Sequence, residues 1–201
     1  MIRLLVDGIA FQQGQARPAV PWREVLQALA LRTGLHGLML DRGGAPVIDR
    51  IALLPFPTHL GRDCAADSLL IQQMADLFGV DVFLSTGWTT PVATPAVVLV
   101  PAMEPPPPQR DRGRQQLEHE TALAYAQHYL CIGEHTRSGL RAVFPEIPEH
   151  AIDVVEPEAE ALSGALAAAI DRLHRDHGAG RYKAFLAEWQ RLRTVQASVD
   201  H

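Results

Sequence analysis

The chain predicts an α/β protein: one domain with a mostly parallel sheet of six or seven strands, followed by a carboxy-terminal helical hairpin. Three observations predict it. Short apolar runs alternate with stretches whose apolar residues recur at helical spacing. Val82–Ser85 and Ala96–Val100 are apolar at every position but the last of the first run, as strands covered on both faces are. From Glu156 onward the pattern is helical only. Alternating strands and helices imply right-handed crossovers and a parallel sheet between two helical layers.

The elements follow in order. Ile2–Val6 is the first strand. Trp22, Val25, Leu26 and Leu29 form one helical face, with Pro21 suited to the first turn and Gly34 to the end. Leu38–Leu40 and Ile48–Leu54 are strands. A helix capped by Asp67 or Ser68 carries Leu70, Met74, Leu77 and Phe78 and stops at Gly79. After the strands at Val82–Ser85 and Ala96–Val100 comes Pro101–Gly113, whose four consecutive prolines, Pro105–Pro108, cannot donate ladder hydrogen bonds. That tract reads as a rigid surface loop; a partner-docking ligand is the other reading. Gln115–Gln127 is a weakly amphipathic helix and Tyr129–Ile132 a strand; Gly133–Thr136 opens a further helix marked by Thr136, Leu140, Val143 and Phe144 and ended by Pro145, and Ile152–Val155 is the last strand. In the tail, Leu162, Leu166, Ile170 and Leu173 form one stripe, and Phe185, Trp189, Leu192 and Val199 another. The division expected is a domain over 1–155 and a helical tail over 156–201 packed on it.

Composition excludes several functions. With a net charge of −5 the chain has no global field for nucleic acid. No apolar run is long enough to span a membrane, and the N-terminus lacks a signal-peptide pattern. The expectation is a soluble, cytoplasmic protein. Cys64 and Cys131 show no metal-ligand or disulfide-framework spacing, and Cys131 reads as a buried core thiol. His119 and Glu120 read as a solvated helix face. His174 and His177 lie three apart at a helix C-terminus, where cations suit the dipole; a metal pair is the other reading. Neither metal nor cofactor is implied.

Three segments following strands are candidate ligand sites. They are Gly14, Gln15, Ala16 and Arg17; Ser85, Thr86, Trp88, Thr89 and Thr90; and Gly133, Glu134, His135 and Thr136. Free N–H groups at a helix start take anions or hydroxyl oxygens, and open parallel sheets bind ligands beyond the carboxyl ends of their strands. Ordinary turn and cap chemistry accounts for each equally well.

Several of these segments resemble glycosyltransferases of the GT-B fold, family 4 type. Val82–Val100, VFLSTGWTTPVATPAVVLV, is similar to that family's strand, "STxxTTP" turn and next strand. His128–Leu140, HYLCIGEHTRSGL, followed by Phe144-Pro145-Glu146-Ile147, resembles its "HYLCIS" and "FPEI" stretch. Met1–Gln12, Trp22–Leu29 and Ala66–Phe78 fit the same amino-terminal Rossmann-like domain, and Tyr182–Asp200 is similar to the terminal helix that crosses back onto it. A complete enzyme of that kind has a second, donor-binding domain of about 150 residues, which has no counterpart here. Where the family carries VYDMIPE, the acidic position is Ala102, with Glu104 a poor substitute, and the Ser after "YLCI" is Gly133. The Gly14–Arg17 turn is followed by an insertion, Pro18–Pro21. The resemblance therefore implies a degenerate, glycosyltransferase-like domain that is non-catalytic on its own and acts by binding or self-assembly. The other reading is the acceptor-side subunit of a split enzyme, active with a separate donor-binding glycosyltransferase chain. A homodimer is expected, paired through whatever part of the two tail stripes does not face the sheet.

Overall fold

The computed structural model describes residues 1–12, 20–60, 64–101 and 114–178. Seven strands form one sheet in the order β3-β2-β1-β4-β5-β6-β7. They are β1 (Ile2–Asp7), β2 (Leu35–Asp41), β3 (Ile51–Pro55), β4 (Val82–Ser85), β5 (Ala96–Val100), β6 (His128–Ile132) and β7 (Ile152–Val155). Every neighbouring pair is parallel. The helices are α1 (Trp22–Ala30), α2 (Cys64–Leu77), α3 (Arg114–Tyr125), α4 (Gly133–Val143) and α5 (Ala159–Leu173), the last continuing as a wider π turn, His174–Gly178. Strand order reverses between β1 and β4, which places a crevice at their carboxyl ends.

Alternation along the strands builds two half-cores. Leu4 and Val6 of β1 face α1 and α5, packing with Val25, Leu26, Leu29, Leu162, Leu166, Ile170 and Leu173. Leu5 points the other way, to α2, with Leu38, Leu40, Ile71, Ala75 and Phe83. Further along that second face, Val98, Val100, Tyr129 and Cys131 pack with Leu123 of α3 and Leu140 of α4. Burial pushes the Cys131 thiol up to about 12, as befits an inert core residue. No helix among the described residues is long and apolar enough to cross a membrane.

Several expectations are corrected. β2 runs from Leu35 to Asp41 rather than Leu38–Leu40, because it pairs with β1 over the whole of that strand's length. The Ile48–Leu54 strand begins only at Ile51: Arg50 adopts a left-handed φ of 64°, and Ile48 folds back on Ile51 in an antiparallel bridge. α2 starts at Cys64, so Asp67 lies inside its first turn rather than at the cap; its carboxylate is used elsewhere. α4 starts at Gly133, as expected of the Gly133–Thr136 segment that opens it, and α3 ends at Tyr125 rather than Gln127. Of the tail residues named for pairing, Leu162, Leu166 and Ile170 are buried in the core. Phe185, Trp189 and Leu192, like Pro105–Pro108 and Ala102, lie outside the described residues.

One glycine sets how closely the first two strands meet where they end. A Cβ on Gly8, directly after β1, would stand 2.4 Å from the carbonyl oxygen of Leu40 in β2. Backbone cannot yield there as a flexible side chain would. Gly8→Ala is therefore expected to lower the free energy of unfolding by about 1–3 kcal/mol, measured by urea denaturation; an unchanged midpoint would show that the strand ends are not closely apposed.

Candidate functional site

Polar side chains gather where β1, β2 and β4 end. Asp7 closes β1 and lies in register with Ser85 at the end of β4. Asp41 closes β2, and its carboxylate accepts hydrogen bonds from the N–H groups of Gly43 (2.9 Å) and Ala45 (3.1 Å). Gly43 and Gly44 take the positive φ values that this turn requires. The turn directs Arg42 inward, where its side chain is fully buried.

Arg42 has five N–H donors, and each has an acceptor. Nε and one Nη reach the two oxygens of Asp7 at 2.6 and 3.0 Å. The same Nη reaches Asp67 Oδ2 at 2.8 Å. The other Nη reaches Asp67 Oδ1 at 2.9 Å and the Pro57 carbonyl at 3.1 Å. The guanidinium also lies over the Phe56 ring, 4.7 Å from its centroid. One cation thus ties together the ends of β1 and β2, the segment after β3 and the first turn of α2. Burial lowers the tendency of Arg42 to hold its proton, but Asp7 and Asp67 outweigh it and the net shift is upward. For Asp67, burial opposes ionisation, yet hydrogen bonds from His59 and Arg42 and the charge of Arg42 hold its carboxyl below the ordinary 3.8.

The hydroxyl-rich turn after β4 closes over this pair. Thr89 donates to Asp7 Oδ2. Thr86 donates to the Asp7 carbonyl and accepts from the Ala10 N–H at 3.1 Å. Ser85 donates to the Gly87 carbonyl at 2.8 Å. Thr90 differs: it is 1% exposed, and its hydroxyl has no hydrogen-bond partner among the described residues. It lines a small niche shared with His59, Asp67, Ser68, Trp88 and Thr121, with about 10 Å³ of free space, room for no more than one water or one ligand hydroxyl. His59 is held by reciprocal bonds between its backbone and the Gln12 amide, 3.0 and 2.7 Å, and its Nδ1 lies 3.4 Å from Asp67. Trp88 stacks on His119, ring centroids 4.0 Å apart, so His119 packs on the turn rather than standing on a solvated face.

The structure therefore brings Ser85, Thr86, Trp88, Thr89 and Thr90 to the crevice between β1 and β4. Gly133, Glu134, His135 and Thr136 stand two strands away, after β6. There Glu134 and His135 are exposed, Glu134 pairs with Arg137 at 3.3 Å, and Thr136 donates back to the Ile132 carbonyl at 2.8 Å. Gly14, Gln15, Ala16 and Arg17 lie outside the described residues. Sequence reasoning missed Asp7, Arg42 and His59 and gave Asp67 only a capping role. The available signal was positional: Asp7 and the Asp41-Arg42-Gly43-Gly44 turn each stand where an apolar strand ends. Among the described residues no three His, Cys, Asp or Glu side chains are placed to hold a metal ion.

Removing the cation leaves two carboxylates facing each other in a buried site. Arg42→Met is expected to destabilise the protein by about 3–5 kcal/mol near neutral pH. The pH dependence should invert as well. In the parent, the depressed Asp67 contributes stability above its unfolded value that is lost as pH falls through the folded one. In Arg42→Met the unpaired carboxylates take up protons more readily than in the unfolded chain, so stability rises as pH falls toward 4. Thermal melts of both proteins across that range check the sign.

No protein-family model matches the chain, and no curated protein sequence does. Solved structures do. A co-structure of S. aureus MnaA with UDP matches with a TM-score of 0.55 at 13% identity, covering 77% of this chain and 44% of that one. The UDP-N-acetylglucosamine 2-epimerase of Rickettsia bellii matches with a TM-score of 0.55 at 12% identity, over 87% of this chain and 48% of that one. The UDP-GlcNAc 2-epimerase of Methanocaldococcus jannaschii, in complex with UDP-GlcNAc and UDP, gives 0.52 at 11% identity, over 77% and 46%. The chain spans about half the length of these structures, and at such identities the likeness is one of fold. It single-handedly favours no glycosyltransferase family; what the chain has, over its one seven-stranded parallel sheet, is a GT-B-like fold.

Proposed function

We propose that this chain is a glycosyltransferase-like domain that is non-catalytic on its own and acts by binding, taking a small, neutral, hydroxyl-bearing ligand at the crevice between β1 and β4. The observation that carries the reading is the saturation of Arg42. A nucleotide diphosphate leaving group needs preorganised cations or N–H donors aimed at it. All five donors of Arg42 are already committed within the protein. Two carboxylates against one guanidinium leave the cluster with a negative balance that repels phosphate, and among the described residues no Lys or Arg lines the adjacent niche. What the niche offers instead is the Thr90 hydroxyl, the Asp67 carboxylate edge and an aromatic wall at Trp88, groups suited to hydroxyls.

The second reading, an acceptor-side subunit that works with a separate donor-binding chain, is favoured by one observation. The solved structures that share the fold and hold UDP or UDP-GlcNAc are about twice as long as this chain. In that arrangement the donor's phosphates would be held by the other chain.

Calorimetric titration with a panel of nucleotide sugars tests the first reading. No dissociation constant tighter than about 10 μM, near −7 kcal/mol, is expected for the chain alone. Tighter binding would overturn it. Nucleotide-sugar binding or turnover that emerges only when a donor-binding chain is added would favour the second.

A further inference from the structure

The connection between β4 and β5 carries no helix. It consists of residues 86–95, whereas a parallel crossover ordinarily takes a dozen or more residues and a helix. Gln72 of α2 holds this short path in place: its carbonyl accepts from the N–H groups of Ala93 (2.8 Å) and Thr94 (2.9 Å), and its amide donates to the Thr94 hydroxyl at 3.0 Å. Beside it a groove of about 570 Å³ runs between α2 and α3, a volume typical of small-molecule sites. Leu69, Val92, Ala124 and Tyr125 give it an apolar lining. Leu69 is 55% exposed and Tyr125 44%, unusual for apolar side chains gathered in one concavity. The groove adjoins the Thr90 niche: Ser68 of α2 and Thr121 of α3 line both. The connection itself passes from one to the other, with Thr90 in the niche and Val92 in the groove.

We propose that niche and groove form one site for an amphiphilic alcohol: a single hydroxyl held between Thr90 and Asp67, and an aliphatic or aromatic body laid along Leu69, Val92 and Tyr125. This rests on the reading of the crevice as a site for a neutral, hydroxyl-bearing ligand and adds what flanks the hydroxyl. The niche sets the head: with about 10 Å³ free it admits one hydroxyl and not a sugar ring. A hydroxyl both donates and accepts, and the niche answers both functions. Thr90 Oγ1, buried and without a partner among the described residues, can donate to it. Asp67 can accept from it: a carboxylate offers about four acceptor positions, and among the described residues Arg42 and His59 occupy three. An ether gives Asp67 no proton, and an ammonium has no lone pair to accept from Thr90. A carboxylate head would meet Asp67 in the niche and Glu120 beside the groove. The groove sets the body, since its lining offers contact area and few polar partners.

NMR titration of the nitrogen-15-labelled full chain with 1-octanol, octyl methyl ether and glycerol tests this. 1-Octanol should shift the amides of Thr90 and Ala124 together and saturate. Affinity should rise by up to about fourfold per methylene from 1-butanol to 1-octanol, and the methyl ether should bind about fivefold more weakly than the alcohol. Thr90→Val, which removes a hydroxyl without a described partner and keeps its shape, should erase the preference for alcohol over ether while the chain-length dependence stays. Leu69→Asn, at an exposed position that spares the core, should flatten the chain-length dependence and carries the test if Thr90→Val fails to fold. Alcohol and ether bound alike, an affinity indifferent to chain length, or groove shifts without Thr90 would each overturn the proposal. Glycerol moving the Thr90 amide while 1-octanol leaves Ala124 still would overturn it too, but would leave the crevice as a site for hydroxylic ligands. No movement of Thr90 with any probe would overturn both.

Discussion

One buried guanidinium decides how the carboxyl edge of this sheet is built. A charge with no exposure survives only where every donor is answered, and Arg42 draws its acceptors from β1, from α2 and from the segment after β3. The turn formed by Asp41, Gly43 and Gly44, the close approach of Gly8 to Leu40 and the Thr89 hydroxyl on Asp7 all serve that arrangement. The desolvation of three charges offsets much of their attraction, so the network shows its energetic weight chiefly when one partner is removed. Among the described residues at the crevice, the guanidinium of Arg42 is already engaged by Asp7 and Asp67.

The layers of the fold were legible in the sequence because burial on both faces leaves an unmistakable mark. Val82–Ser85 and Ala96–Val100 are short apolar runs, and each is a strand with the bounds its hydrophobicity gives. The stripe Leu162, Leu166, Ile170 marked α5 equally well, but periodicity could not say that all three would be spent against the sheet and α1. Element ends failed where a single backbone torsion decided them. The positive φ at Arg50 delays β3, and nothing in the residue type announces it.

The site was half legible. The hydroxyls of Ser85–Thr90 stand out by composition, and the structure does seat them at the crevice. Asp7, Arg42 and Asp67 are separated by 35 and 25 residues, and only the order β2-β1-β4 brings them together. A lone Asp or Arg at a strand end is common, and its partners are a property of topology. The same limit applies to the helix-free connection between β4 and β5, residues 86–95. A ten-residue path between two strands can be counted in sequence, but that they are parallel neighbours, and so lack a helix, cannot.

Whether Arg42 is closed to ligands in solution decides what this edge of the sheet can bind. Nitrogen-15 NMR of its Nε–H resolves this, since a side-chain proton held by Asp7 in a dry site exchanges slowly and shifts if the guanidinium changes partners. The expectation is a slowly exchanging resonance near neutral pH that does not move when UDP is added in excess. A rapidly exchanging resonance, or one displaced by the nucleotide, would mean that the carboxylates release Arg42 to phosphate, and the reading of this edge as closed to nucleotide diphosphates would be wrong.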